Sequence, residues 1–311
     1  MRVGDTVSLR VQADTGVTEV VGTVLAASAD TLTVRRRSGG VVELAVTQIT
    51  ASRVVPPSPA QRIPVDELER VMTSGWRGVR TRILGEWVLR AGDGLTRRAN
   101  SALPLGDPGL SAGEAVAALR DWYGEHHLTP RVQVPDGAVD PAVLTALAAN
   151  GWVEEPGIRT RVLTAEVGHV LRGAPAAVNP PVQVDEALDE AWLAAWRAGD
   201  DIDRDAARRL LTNHDKVGFA SIRDGDQCLA IARAAVDGRW TGLFAVEVAP
   251  THRGRGLGRA VSLAALRWAV PHGARHVYLQ VEEVNTPARA LYESLGFAHH
   301  HDYTYSVASN T

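Results

Sequence analysis

The chain has 311 residues, with 33 Lys and Arg against 36 Asp and Glu for a formal net charge of −3. That length allows two or three domains with a sizeable core, and the balanced charge excludes the global basic field of a nucleic-acid binder. A single cysteine, Cys228, excludes an internal disulfide and a thiolate-rich metal site, and no uninterrupted apolar stretch is long enough to span a bilayer. With no leader-like series at the start, a cytoplasmic protein with no membrane partner is expected.

Residues 1 to 55 carry short strand patterns at Thr6 to Val11, Glu19 to Leu25, Thr31 to Arg36 and Val41 to Val46, broken at Asp14-Thr15-Gly16, Ala29-Asp30 and Ser38-Gly39-Gly40. Five or so short strands in so few residues predict a small closed or nearly closed β-barrel, which resembles the Src-homology-3 type. Arg35-Arg36-Arg37 reads as a solvated hairpin tip rather than a nucleic-acid contact, because no aromatic residues interleave with it. Residues 1–55 are therefore a candidate surface for a protein partner, followed by a stiff linker at Pro56-Pro57-Ser58-Pro59.

From residue 63 to 172 a second unit is expected. Strand candidates at Ile83 to Arg90 and Leu95 to Ala102 precede a helix, Ser111 to Glu125, with Ala115, Val116, Leu119, Trp122 and Tyr123 on one face. A short strand, Arg131 to Val134, a helix from Asp140-Pro141 to Asn150-Gly151 and a strand from Ile158 to Thr164 follow.

The third unit, 181–311, begins after the Pro-rich run Ala174 to Pro181. A strand at Val182 to Val184, helices at Asp185 to Ala198 and Asp203 to Thr212, and a hairpin of Val217 to Arg223 with Gln227 to Val236 lead into the strand Leu243 to Val248. Trp192 and Trp196 fall at helical spacing and are assigned to the core. After Ala249-Pro250-Thr251-His252 the chain runs Arg253-Gly254-Arg255-Gly256-Leu257-Gly258, ahead of a long helical pattern. A glycine-rich turn between strand and helix presents backbone N–H groups at the positive end of a helix, an anion cradle. The spacing fits neither a dinucleotide fingerprint, since Arg259 stands where glycine is required, nor a nucleoside-triphosphate loop, which needs Gly-Lys-Ser/Thr.

The pattern Arg-x-x-Gly-x-Gly after Val-x-Pro resembles the pyrophosphate loop of the GNAT superfamily, the acyl-CoA-dependent N-acyltransferases. A second block supports it: Asn285, Ala288, Leu291-Tyr292 and Gly296-Phe297, arriving after the strand Val277 to Val281. The resemblance covers roughly the last 130 residues. It implies a GNAT fold for 181–311; with the N-terminal strand pattern and the internal repetition of the chain, the whole is expected to be α/β (α+β), a small all-β barrel followed by two GNAT-like mixed-sheet lobes, the first degenerate. It also implies acetyl-CoA as cosubstrate, an amine acceptor, and cofactor contacts from Val246, Val248, Arg253, Gly254, Arg255, Gly256, Leu257, Gly258, Arg259, Asn285 and Tyr292. Val246 and Val248 would pair with the pantetheine arm as an added strand does, and the Val248 amide would face the developing oxyanion. Asn285 has a second reading as a loop cap before Thr286.

An acceptor amine near pKa 10.4 is mostly protonated at neutral pH, so freeing its lone pair costs about 4 to 5 kcal/mol unless a base takes the proton. Glu247 is the candidate base, directly or through water, because strand alternation sends its side chain away from Val246 and Val248. Its alternative role is to bind a cationic acceptor. Tyr292 matches the family position whose hydroxyl reaches the CoA sulfur, which makes it the candidate general acid; otherwise it is a core tyrosine. His299-His300-His301 is not read as a metal site, because neighbours on a strand point to opposite faces. Asp302, Tyr303 or one of these histidines stands instead as a candidate to line the acceptor pocket.

The first lobe aligns with the second through Ala117-Ala118-Leu119-Arg120 against Ala264-Ala265-Leu266-Arg267. That register places Gly106-Asp107-Pro108-Gly109-Leu110-Ser111 against the Arg253 to Gly258 loop, where Asp107 adds negative charge and Pro108 removes an amide donor. No CoA is expected there. Two other readings stay open: a non-catalytic CoA-binding regulator, and a recruitment scaffold led by residues 1–55.

Overall fold

The structure is a computed structural model that describes residues 1–13, 16–36, 40–56, 58–172, 174 and 181–308. The expected turn residues Asp14, Thr15, Ser38 and Gly39, together with Arg37, Pro57 and the Pro-rich run 175–180, lie outside the described residues. The N-terminal strands are β1 (Thr6–Ala13), β2 (Gly16–Ala27), β3 (Thr31–Arg36), β4 (Val41–Ala45) and β5 (Ile49–Val54). They form an antiparallel sheet in the order β4-β3-β2-β1-β5 around Val7, Leu9, Val24, Leu32 and Val34. Among the described residues no ladder joins β4 to β5, so of the closed or nearly closed barrel that was expected, full closure by strand pairing is absent. A single 3₁₀ turn, Val46–Gln48, directs the chain onto the free edge of β1 instead of back along β4.

The rest of the chain builds one eleven-stranded sheet. Its first part comprises α1 (Pro59–Arg62), α2 (Val65–Gly75), β6 (Arg80–Leu84), β7 (Trp87–Ala91), β8 (Ala102–Leu103), α3 (Ala112–Glu125), β9 (Arg131–Pro135), α4 (Pro141–Ala149), β10 (Trp152–Glu166) and α5 (Val167–Val170). Its second part comprises β11 (Gln183–Asp185), α6 (Glu190–Ala195), α7 (Arg204–Thr212), β12 (Val217–Asp224), β13 (Gln227–Asp237), β14 (Trp240–Val248), α8 (Leu257–Ala269), β15 (His276–Glu282), α9 (Thr286–Ser294) and β16 (Ala298–Ala308).

The strand order, β11-β12-β13-β14-β15-β10-β16-β9-β8-β7-β6, makes the duplication visible. Each half contains one parallel pair bridged by a helix, β8 with β9 and β14 with β15; every other neighbour is antiparallel. Each half also lends its last strand to the other. β10 lies against β15, β16 lies against β9, and the two exchanged strands meet at the centre. Two similar halves are thus fused into a single sheet.

Three apolar clusters cover this sheet. In the second half, Leu163, Val261, Leu266, Leu279 and Tyr292 pack under α8 and α9, while Trp76, Trp192, Trp196, Phe219, Phe244 and Tyr278 pack under α2, α6 and α7 on the opposite face. Trp87, Leu119, Trp122 and Leu147 form the core of the first half.

Local differences from the sequence reading have identifiable causes. The strand expected over Ile83 to Arg90 is a hairpin split at Gly85, whose φ of +57° and close approach to the Asp107 and Pro108 backbone suit only glycine. Leu95 to Ala102 is mostly loop, because the Asn100 side chain accepts from the Gly92 and Gly94 amides and holds the segment folded back. The helix expected from Asp185 to Ala198 is limited to α6. Asp189 caps it by accepting from the Trp192 amide, and Arg197 in the left-handed region follows its end. The helix α2 had no counterpart in the sequence reading.

Candidate active site

The site is opened by a fault in one strand. β14 pairs with β15 only from Trp240 opposite His276 to Leu243 opposite Leu279. At Ala245 the backbone enters the left-handed region, φ +48°, and the β13–β14 register shifts by one residue. This bulge bends β14 away from β15 and leaves Phe244–Val248 unpaired on that side. The Ala249 amide donates to Leu229 O at 2.9 Å, so Ala249 and Glu247 face β13 and the Val248 backbone faces the gap. There Val248 O accepts from Arg253 Nε at 3.3 Å.

The glycine loop closes one end of the gap. Gly254 and Gly256 hold φ of +75° and +78°, and Gly256 caps α8 without a side chain. Within the described chain the amides of Gly254, Gly256, Leu257 and Gly258 have no hydrogen-bond acceptor. Four donors at a helix start with nothing to bind are a fit for an anion with several oxygens. The loop, the gap and α9 line one cavity of about 1240 Å³.

Into this cavity the fold brings Val246, Glu247, Val248, Arg253, Gly254, Gly256, Leu257, Gly258, Arg259, Asn285 and Tyr292. Arg255 is the one proposed contact that does not line it; its position in the loop is exposed. Asn285 lines the cavity and also caps α9, its side chain accepting from the Ala288 amide at 3.2 Å.

Glu247 projects to the face opposite α8. The Arg197 amide donates to its two carboxylate oxygens at 3.3 and 3.1 Å. Burial raises the carboxyl above its ordinary pKa, and the Arg197 amide opposes that rise. Arg197 itself sits at φ +52°, with its guanidinium donating to Leu95 O of the first half and to Asp200 at 2.8 Å. Sequence reading missed Arg197, because its contribution is a main-chain amide that any residue type supplies.

Tyr292 is buried against Phe297 and lies beside Ser262, whose hydroxyl donates to Gly258 O at 2.7 Å. Burial pushes its phenol up to about 12. Cys228 also lines the cavity, but burial raises its thiol away from thiolate formation.

The histidine run does not alternate as expected: the β10–β16 register shifts at His300 and brings its Nδ1 to 2.8 Å from His301 Nδ1. His299 Nε2 meets Asp302 Oδ1 at 2.7 Å, His300 Nε2 meets Ile63 O at 2.9 Å, and His301 Nε2 meets Glu69 Oε1 at 2.9 Å. Asp302 also receives Arg159 at 3.1 Å, whereas Tyr303 lines a separate cavity with the first half.

The corresponding loop of the first half is filled by its own carboxylates. The Asp107 amide donates to Glu86 at 2.6 Å, the Gly109 amide to Asp107 at 2.8 Å, and the Ser111 amide to Glu114 at 3.0 Å. Ser111 accepts in turn from the Glu114 amide at 3.4 Å, a capping box at the start of α3.

Comparison with known proteins agrees with this geometry. Residues 64–306 match the family model described as "Probable histone acetyltransferase Rv0428c C-terminal". The chain is 31% identical over 300 residues to the "Probable histone acetyltransferase Rv0428c" of Mycobacterium tuberculosis, covering 94% of this chain and 90% of that protein. It is 22% identical to the "Uncharacterized N-acetyltransferase YobR" of Bacillus subtilis over 78% of this chain and 98% of that one. Its fold resembles a GCN5-related N-acetyltransferase from Kribbella flavida, with TM-score 0.57, 20% identity, and coverage of 82% and 98%. The acetyltransferase names support acetyl-CoA as the cosubstrate of an acyltransferase, and the loop and gap have the donors to hold it. The chain belongs to the Rv0428c C-terminal family of GNAT acetyltransferases.

Proposed function

We propose that the protein moves an acetyl group by direct transfer from acetyl-CoA to a primary amine, with acetyl-CoA held by the second half alone. The observation that carries this reading is the junction at the β14 bulge, where acceptor-free amides and the gap lie on one side and the Glu247 carboxylate on the other. Acetyl-CoA, once bound, supplies the activated thioester carbonyl.

The chain's residues then divide the work. The amides of Gly254, Gly256, Leu257 and Gly258 hold the pyrophosphate at the positive end of α8, with Arg253 and Arg259 adding charge at the rim. The Val248 backbone takes the pantetheine arm as an added strand would, and Asn285 bonds to that arm at the mouth of α9. Glu247 removes a proton from the incoming ammonium, directly or through one water, and its raised pKa makes it a better base than an exposed carboxylate. The amine nitrogen bonds to the carbonyl carbon, the carbon–sulfur bond breaks, the thiolate takes its proton from Tyr292, and the second N–H proton of the adduct leaves to solvent, which returns a proton to the phenolate. The raised thiol of Cys228 and the absence of a base bonded to it favour direct transfer over a covalent relay.

The first half binds no CoA in this reading, since its Asp107, Gly109 and Ser111 amides are already bonded to carboxylates. Calorimetric titration of acetyl-CoA into the full chain tests the whole scheme. One site per chain is expected, lost on replacing Gly256 and Gly258 by tryptophan; two sites would show that the first loop also works. Acetylation of an amine, followed as CoA release, then separates an enzyme from a non-catalytic CoA-binding regulator.

A further inference from the structure

A second cavity, of about 480 Å³, lies beside Arg197, between the two halves of the molecule. Its walls are the loop Gly94–Arg98 and Trp76 of the first half, Gln280 and Glu282 of β15, and Tyr303 and Tyr305 of β16. Strand alternation puts Gln280 and Glu282 on the same face of β15 as Tyr278, which packs with Phe244 on the side covered by α6 and α7. Glu247 meets the Arg197 amide on that same side. Arg197 therefore touches both chambers: its amide holds the carboxylate at the reaction gap, and its side chain lines the second cavity.

The chemistry of this cavity is uneven in an informative way. Four arginines, Arg97, Arg98, Arg131 and Arg197, face two glutamates, Glu155 and Glu282. Glu155 is spent on its neighbours, accepting from Arg97 Nε and Arg131 Nε at 3.0 Å each. Arg98 has no carboxylate partner. Its Nε is buried with no acceptor, and its Nη2 reaches Tyr303 Oη only at 3.5 Å. Across the same cavity the Gln280 Oε1 is buried with no donor. A buried donor or acceptor left unpaired is costly, so one group short of an anion and another short of an N–H donor point to a missing ligand with both.

We infer that this cavity is the acceptor pocket and takes a small primary amine that also carries a carboxylate, with the anion on Arg98 and the amine end passing Gln280 toward Glu247. The inference rests on the acetyl-transfer reading above and adds the substrate class. The volume falls in the range of small-molecule sites, and the excess of arginine disfavours the cationic tail of a basic protein. The degenerate half thereby has a use: its Gly94–Arg98 loop supplies the anion recognition.

The test uses the full chain and three matched pairs: glycine, β-alanine and 4-aminobutyrate, each with its carboxamide. Binding is measured by calorimetry on protein saturated with CoA, and turnover by CoA release from acetyl-CoA. At least one carboxylate should bind and react tenfold or more better than its carboxamide. Arg98→Met should abolish that preference, lowering kcat/KM for the carboxylate at least tenfold through KM, while acetyl-CoA affinity stays as in the wild type. Arg98→Lys, which keeps the charge without the fork, should restore part of the preference and guards against a merely misfolded variant. Equal treatment of the pairs, no binding of any carboxylate, or a preference that survives Arg98→Met overturns the anion pocket. Failure of acetyl-CoA to bind overturns the acetyl-transfer reading and the pocket with it, whereas acetylation of the carboxamides without preference for the acids overturns the pocket alone.

Discussion

The main-chain amide of Arg197 donates to both carboxylate oxygens of Glu247, at 3.3 and 3.1 Å, from a residue held at φ +52°. A non-glycine residue in that region needs support from its surroundings, and here it comes from the guanidinium bonds to Leu95 O and Asp200. The first half of the molecule thus helps to fix the orientation of a carboxylate in the second.

Glu247→Gln is expected to lower kcat by about 10² to 10⁴, the usual range for losing a general base, with little change in acetyl-CoA affinity. The pH profile supplies the sign. A base must be deprotonated to work, so wild-type activity falls as pH drops through a raised carboxyl pKa, and this acid limb should vanish in the glutamine variant. Arg197→Pro, which lacks the amide donor and cannot hold φ +52°, should move the limb to higher pH; Arg197→Gly keeps the amide but loses the guanidinium charge that also lowers the pKa, so it should move the limb upward by less. Steady-state kinetics across pH checks all three.

Tyr292→Phe keeps the ring against Phe297 and removes only the hydroxyl. A thiolate leaving group makes protonation helpful rather than essential, so kcat should fall by roughly 10- to 10²-fold, less than for Glu247→Gln. Ser262 still donates to Gly258 O, so the loss of stability should stay near about 1 kcal/mol. Urea unfolding beside the kinetics separates these effects.

Ser111→Ala removes the cap of α3 and should cost about 1 kcal/mol of stability. The stoichiometry of acetyl-CoA should stay at one per chain, because Glu86 and Asp107 still occupy the loop amides. Thermal unfolding and calorimetry read the two outcomes.

Glu69→Ala breaks a buried polar chain that joins the halves. Glu69 of α2 meets His301 of β16 at 2.9 Å and Gln133 of β9 at 2.7 Å, and Gln133 accepts from Arg90 at 2.9 Å. Removing the central carboxylate strands both neighbours, so a loss of about 3 to 5 kcal/mol is expected. The measurement is the urea midpoint, with the slope unchanged.

Residues 1–55 form a sheet with its own apolar cluster and no strand ladder to the large sheet. If they recruit a macromolecular partner, deleting them should leave kcat/KM for a small amine unchanged and lower it only for that partner.

The sequence by itself determined the glycine loop and its neighbours, the side proposed to hold CoA. The loop Arg253 to Gly258, the cap at Asn285 and the position of Tyr292 are local: glycines that tolerate left-handed backbone, a helix start that offers amides, a cap that precedes proline. Such features depend on neighbours a few residues away, and the chain order carries them. The degeneracy of the first loop was legible for the same reason, through Asp107 and Pro108, although Glu86 and Glu114 emerged only in the fold. Tertiary structure alone decided the acceptor side. The exchange of β10 and β16 and the meeting of Leu95 with Arg197 and of Arg98 with Tyr303 join residues about 100 to 200 positions apart. No local pattern encodes such pairings, since they follow from how two similar halves bury their shared sheet. The incomplete closure of the N-terminal sheet has the same origin: each strand was readable from its alternation, but closure depends on where a three-residue turn aims the last one.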